Sequence, residues 1–171
     1  TIEHFAGLLT LTMANAELIP YDVNRYPFDL RLHFNNASKK IMKYHRDFEG
    51  FKKTEKEIEN LFSISSKLSE SIKNYLEQEK FSKKELKVFN QKLIALEKSF
   101  ISEKGMYFGS WYKSLYASSD PFSGYASWIL PGLEYEIALM KKDRLEEWDS
   151  RYSKAISSLG RKMEELIKLL N

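Results

Sequence analysis

The chain is predicted to be all-α: a four-helix-bundle-like domain with one long aromatic-rich loop ahead of its last helices. Three observations predict it. Apolar residues recur at steps of three and four along four separate stretches, which places them on one face of a helix. Ser, Thr or Asp stands ahead of three of those stretches with Glu three positions later, the spacing of a capping box. Finally, 7 Gly and 4 Pro in 171 residues leave little material for the turns of a many-stranded fold. No segment alternates apolar and polar residues at comparable length, so a sheet has little support.

Residues 1–16 read as a shorter helix with apolar positions Ile2, Phe5, Leu8, Leu9 and Met13. Gly7 within it leaves room for another backbone to come close. Pro20 marks the turn that follows. In the second helix Leu30, Phe34, Ala37, Ile41, Tyr44 and Phe48 form the stripe. Asp22 is its expected cap, and Pro27 fits because the first turn has no intrahelical partner to lose there. The third helix carries Ile58, Leu61, Phe62, Leu68, Ile72, Tyr75 and Leu76, with Ser65 filling the seam. Thr54 and Glu57 are its expected capping box. Ser82 and Glu85 open a fourth helix with Leu86, Phe89, Leu93, Leu96 and Phe100. Asp143 and Glu146 open the last and longest, with Leu145, Trp148, Tyr152, Ile156, Leu159, Met163, Leu166 and Leu170.

Between the fourth helix and the last, residues 104–130 have no clear period and are rich in Tyr, Trp, Phe, Ser and Gly. A loop beyond about 12–15 residues is uncommon in a compact domain and often functional. Two readings stand open: aromatic packing over the bundle ends, or a surface that meets another domain or subunit. Pro131 and Gly132 then lead into a short amphipathic helix from Leu133 to Met140.

Composition bounds the rest. Hydrophobic residues at 43% and charged ones at 30% describe a globular chain whose residues 1–171 form a single domain. The net charge of +3 comes from 27 basic and 24 acidic residues, interleaved as in KKTEKEIE and KKDRLEEW. A nucleic-acid binder clears acidic residues from a basic stripe, so no nucleic-acid partner is indicated. The absence of Cys excludes disulfides and thiolate chemistry. No stretch approaches the ~18 apolar residues of a membrane span, so no membrane contact is expected. Residues 1–16 carry Glu3 and His4 and lack the basic start of a signal peptide. Thr1 already lies inside a helical pattern, which suggests a segment of a longer chain.

Catalytic residues find no support. His4, His33 and His45 form no HExxH motif or His pair at helical spacing, and neither His33 nor His45 has a Glu three positions before it, so no metal ligand set emerges. Glu55, Glu57 and Glu59 lie among lysines on an exposed face, where nothing prepares them for acid–base work. GxSxG, GxGxxG and phosphate-loop motifs are missing. Asn36-Ala37-Ser38 is a glycosylation sequon, which makes Asn36 a glycosylation candidate.

Read together, several segments resemble those of one known family of domains. TIEHFAGLLTLTMANAELIPYDVNRY resembles its opening helix and Leu-Pro-aromatic-Asp turn. Asn90, Leu93, Leu96, Glu97 and Phe100 match its Asn-x-x-Leu-x-x-Leu-Glu-x-x-Phe segment. Residues 112–119 stand for the loop's Tyr-Ala-Pro-Ser-Ser run. Tyr125, Ala126, Pro131 and Gly132 match Lys-Tyr-Ala-Gly followed by Pro-Gly. In order and over essentially the whole chain, these segments resemble the dimerisation domain of the transferrin receptor and glutamate carboxypeptidase II family.

That resemblance implies a non-catalytic domain that makes a homodimer contact and packs on a preceding zinc-peptidase-like domain of the same polypeptide. Any zinc cofactor would belong to that preceding domain, with none here. The setting it implies is the luminal or extracellular side of a type II membrane protein, vacuolar, endosomal or at the cell surface. In the glutamate carboxypeptidase branch the Lys-Tyr pair holds a substrate's terminal glutamate. Tyr125 matches that Tyr as a substrate-binding residue, but Gly124 replaces the Lys and removes the carboxylate's cationic partner. The Lys- and Asn-rich second and third helices depart from mammalian members and fit a fungal relative in vacuolar sorting. Two alternatives remain: a part of an active zinc carboxypeptidase or aminopeptidase whose last loop lines the substrate pocket, and a helical trafficking adaptor, for which residues 104–130 would be disordered.

Overall fold

A computed structural model describes residues 1–78 and 82–170. Among them the elements run α1 (Ile2–Asn15), α2 (Arg25–Met42), α3 (Lys52–Glu77), α4 (Lys83–Ile94), a 3-10 turn (Glu97–Phe100), β1 (Ala117–Ser119), β2 (Ser127–Ile129), α5 (Pro131–Ala138) and α6 (Leu145–Leu170). The fold is mainly α. Its axis is the long pair α3 and α6, flanked by α2 on α3, by α4 and the 3-10 turn on α6, and by α5 against α2 and α6.

The stripes read from the sequence meet in one core. Leu30, Ile41, Leu68, Leu93, Leu159, Met163 and Leu166 are fully or almost fully buried. Each such side chain stabilises the fold by about 1.5–3 kcal/mol through area removed from water. Phe34 of α2 meets Phe51 and Tyr152 edge to face, at 5.4 and 5.2 Å between ring centres, which ties the α2–α3 connection to α6. Gly160 brings α6 close to α3: a Cβ there would lie 3.3 Å from Ile64 Cδ1.

Several expectations are corrected. The second stripe outlasts its helix: α2 stops at Met42, and Tyr44 and Phe48 pack from the turn beyond it. Leu96 and Phe100 likewise belong to the region of the 3-10 turn and not to α4. Leu76 is exposed. The short helix begins at Pro131 and ends at Ala138. A two-stranded antiparallel sheet, with Ser118 opposite Trp128, stands where no strand was expected; three-residue strands are too short to show alternation.

The capping boxes divide one against two. Ser82 and Glu85 form theirs, with both reciprocal bonds present. Thr54 does not cap α3, which begins two residues earlier at Lys52. Instead the Asp149 carboxylate of α6 accepts the Lys53 and Thr54 amides at 3.1 and 2.8 Å. Those are the N2 and N3 donors that a cap satisfies, so α3 is capped by another helix. The Thr54 hydroxyl returns a bond to the Asp149 carbonyl at 3.1 Å. Asp143 stands one position too early to cap α6, which starts at Leu145 and is preceded by Arg144. Asp22 does not cap α2, whose N-cap is Asn24; its carboxylate takes the Asn24 amide at 3.0 Å in the preceding turn, and Pro27 does sit in the first turn.

α1 departs most from expectation. It contains no buried residue, and no atom outside its own helix lies within 4 Å of where a Gly7 Cβ would be. The close backbone approach expected there is absent among the described residues. Its end is nonetheless fixed. Asn90 of α4 donates to the Glu17 carbonyl at 2.8 Å and accepts the Ile19 amide at 3.0 Å.

Candidate functional site

Residues 101–130 form an ordered layer at the start of α6, not a loose loop. Its base is closed by the Ile101–Ser114 bridge and the Ser102 amide on the Lys113 carbonyl at 2.9 Å, and the Leu115 amide on the Phe100 carbonyl at 2.8 Å ties it to the 3-10 turn. Gly105 has φ +67, and a Cβ there would stand 2.3 Å from the Ser110 carbonyl oxygen, so this tight turn needs glycine. Met106 and Leu115 are buried beneath the layer.

The first turns of α6 hold it with charge. Arg151 donates to Ser102 Oγ at 3.0 Å and to the Gly105 carbonyl, lying over the Trp148 ring at 4.3 Å. Glu147 accepts from Lys104 at 2.6 Å and from Tyr107; the Lys104 ammonium, then the Tyr107 hydroxyl, hold its carboxyl below the usual range. Arg144 covers the Tyr107 ring at 4.0 Å and forks onto Glu136, with Nε to Oε1 at 2.8 Å and Nη2 to Oε2 at 3.0 Å. Glu136 is fully buried on α5 and takes Trp148 Nε1 at 3.1 Å. A buried carboxylate is tolerated only with such partners.

Pro131-Gly132 has a mechanical role. Leu130 takes the left-handed conformation at φ 55 while buried, Pro131 opens α5, and Trp148 presses on Gly132. A Cβ at Gly132 would sit 2.5 Å from the indole ring.

Tyr125 lies in the turn joining β1 to β2 and is 97% exposed. The turn is built on Asp120. Its carboxylate accepts the Phe122 amide at 2.6 Å, the Ser123 amide at 3.2 Å and the Ser123 hydroxyl; the hydroxyl first, then the amides, lower its pKa. Gly124 follows at φ +74 with nothing within 4 Å of its virtual Cβ. Backbone conformation, not space, favours glycine there. Asn36 is exposed on α2, a separate element, so the two sequence-derived candidates do not form one site. His33 stands 6.0 Å from Tyr116 and His45 6.1 Å from Phe48, ring to ring. No group of three His, Asp or Glu placed to hold a metal occurs among the described residues. No helix among them is long and apolar enough to cross a membrane.

Two features escaped the sequence reading. One is a cleft of about 620 Å³ lined by Pro20, Tyr21, Tyr26, Asp29, Glu97 and Tyr116 among others. There the Tyr21 and Tyr26 hydroxyls lie 2.5 Å apart and Tyr21 donates to Glu97 at 3.0 Å. Burial, then the Tyr21 hydroxyl, drives the Tyr26 phenol far above its ordinary value, so the pair stays neutral. Nothing in the spacing of these residues foretold their meeting. The other is a ring of aromatic contacts across the layer, whose members were visible but whose adjacency was not. Trp111 lies 3.8 Å from Tyr112, Tyr112 4.8 Å from Phe108, and Phe108 5.2 Å from Tyr135. Phe122 closes the ring, stacked on Tyr135 at 6.0 Å and meeting Trp128 at 5.8 Å, with Trp128 6.1 Å from Phe108.

The described residues thus form helices around one buried core, with an ordered aromatic layer at the start of α6. The chain matches the model of the transferrin receptor-like dimerisation domain over residues 32–164 and belongs to that family. No curated protein matches it. Residues that carried the resemblance have physical roles here: Asn90 clamps the α1–α2 connection, Glu97 takes the Tyr21 hydroxyl, and Gly132 seats Trp148.

Proposed function

We propose that this domain is a non-catalytic module that joins two copies of its parent protein and packs against a zinc-peptidase-like domain of the same polypeptide. Membership of the dimerisation-domain family is the observation that carries the reading. Support for the second contact comes from α1. Ile2, Phe5, Leu9 and Met13 share one side of it, while Leu8 and Leu11 point elsewhere, and all six are at least half exposed. A helix apolar on more than one side belongs inside a larger core. The Asn90 clamp holds its base in a fixed direction. Any zinc would be held by residues of the preceding domain, and the parent would be a type II membrane protein with this domain on the luminal or extracellular side. An exposed Asn36 is consistent with that setting, and a secreted, glycosylated form would carry its glycan there.

A second reading has a specific observation behind it. Tyr125 projects from a turn braced by Asp120, and a side chain 97% exposed on an ordered turn is free to line a neighbouring peptidase cleft. With Gly124 in place of Lys, such a pocket would not select a terminal carboxylate by charge. The module reading is tested by sedimentation equilibrium of the 20.1 kDa chain. Twice that mass at micromolar concentration is expected, and a strict monomer up to millimolar concentration would sink it.

A further inference from the structure

The cleft between the start of α2 and the 3-10 turn, about 620 Å³, falls within the roughly 300–1,000 Å³ of small-ligand sites. Rings make much of its wall. Tyr21 and Tyr26 have centres 5.9 Å apart, and Phe100 and Tyr116 5.4 Å apart. The faces of aromatic rings carry negative charge density and favour a cation beside them. The phenols stay neutral, because burial raises the pKa of Tyr21, Tyr26 and Tyr116 alike.

The hydrogen bonds of the cleft run one way. Tyr21 donates to Glu97 Oε1, so in the 2.5 Å contact of the two phenols Tyr26 is the donor. Each hydroxyl has a single proton, and both are spent inside the cluster. What the pair and Glu97 offer a ligand is therefore acceptors: a lone pair on the Tyr26 oxygen, and Glu97 Oε2, which takes no hydrogen bond among the described residues. Asp29 and Arg25 neutralise each other through bonds of 3.1 and 3.2 Å. Asp22, Glu97 and Lys98 remain, and their charges sum to a negative one. Asn90 fixes residues 17 and 19, just ahead of Pro20 and Tyr21, so the wall is in place before a ligand arrives and little ordering is lost on binding.

We propose that this cleft binds a guanidinium group, carried by an arginine side chain or by a free small molecule, with Glu97 and the Tyr26 oxygen accepting its N–H groups among the tyrosine rings. A guanidinium suits it better than an ammonium. It is planar, stacks on rings, is weakly hydrated and donates to several acceptors at once. Pro20 and Ile101 in the lining give its methylene stem an apolar bed. Neither the dimer contact nor a peptidase-like neighbour enters this inference, so its failure leaves both readings standing.

The test is titration of the isotope-labelled full chain with N-acetyl-L-arginine methylamide and with its uncharged isostere, the citrulline derivative, followed by amide chemical shifts. Saturable shifts confined to residues 20–29, 97–101 and 114–116 are expected, with a Kd on the order of 1 mM for a ligand of this size. The citrulline derivative should bind at least about tenfold more weakly, because it loses the charge-assisted bond to Glu97. Glu97→Gln keeps an acceptor for Tyr21 and should weaken the arginine derivative by about as much, and Tyr116→Leu should weaken it several-fold. Circular dichroism and melting of each variant check the fold, and the citrulline comparison needs no variant. The peptide Gly-Gly-Arg-Gly-Gly separates the two sources: binding about tenfold tighter than the single residue supports an arginine within a polypeptide, and equal binding supports a free guanidinium compound. No saturation at roughly twenty times the expected Kd, shifts scattered over the surface, equal affinity for the citrulline derivative, or an unchanged Kd in Glu97→Gln would each overturn the proposal.

Discussion

Asp149 offers the sharpest test of how this fold is held together. Replacing it by Ala removes the acceptor for the Lys53 and Thr54 amides and leaves two donors of the α3 N-terminus without a partner. The carboxylate is 7% exposed, so water replaces it poorly. Loss of a cap costs about 0.5–2 kcal/mol, a favourable charge at a partly buried helix end about as much, and an unsatisfied buried amide about 1–3 kcal/mol. These overlap, and about 2–3 kcal/mol is expected in total. For a domain of this size 1 kcal/mol moves Tm by about 2–4 °C, so Asp149→Ala should melt roughly 5–10 °C lower. Asp149→Asn keeps one acceptor oxygen and should lose about half as much. Urea unfolding followed by circular dichroism at 222 nm measures both, with Glu57→Ala as control. If Asp149→Ala lies within about 0.5 kcal/mol of wild type, or Glu57→Ala costs as much as it does, the cap from α6 is refuted and the local box at Thr54 restored.

Gly132→Ala should destabilise by about 1–3 kcal/mol, the range of an overpacked core, and should alter the near-ultraviolet signal of Trp148, whose ring a new Cβ would meet at 2.5 Å; an unchanged spectrum and midpoint would contradict the packing. Asn90→Ala removes both bonds that fix residues 17 and 19 and should speed proteolysis between α1 and α2 well before global unfolding; cleavage no faster than wild type would refute the clamp. Glu147 has a folded-state pKa depressed by Lys104 and Tyr107, so its contribution is present above the unfolded value near 4.5 and disappears as pH falls through the lower folded one. Glu147→Gln should therefore narrow its stability gap to wild type below about pH 4.5, and a gap independent of pH would argue against the pairing.

Much of this domain was legible in its residues. Stripes such as Leu145–Trp148–Tyr152–Ile156 need only helical geometry to place them on one face, and all four are buried. Ser82 and Glu85 could be paired in advance because their bonds close within one turn. Resemblance pointed to the family through Asn90, Glu97 and Gly132 without saying what those side chains do. What the chain alone could not yield were contacts between positions far apart in sequence. Asp149 caps a helix that starts nearly a hundred residues earlier, and Thr54 looked like the cap only because its local spacing imitates one. Rings at 108, 111, 122, 128 and 135 have no period, since a loop's neighbours are set by the turns at Gly105 and Asp120 and by Arg151 beneath them. In the same way the stripe of α1 promised a buried face, and only the tertiary structure left it in solvent: periodicity says which side of a helix is apolar, while what covers that side depends on the rest of the fold.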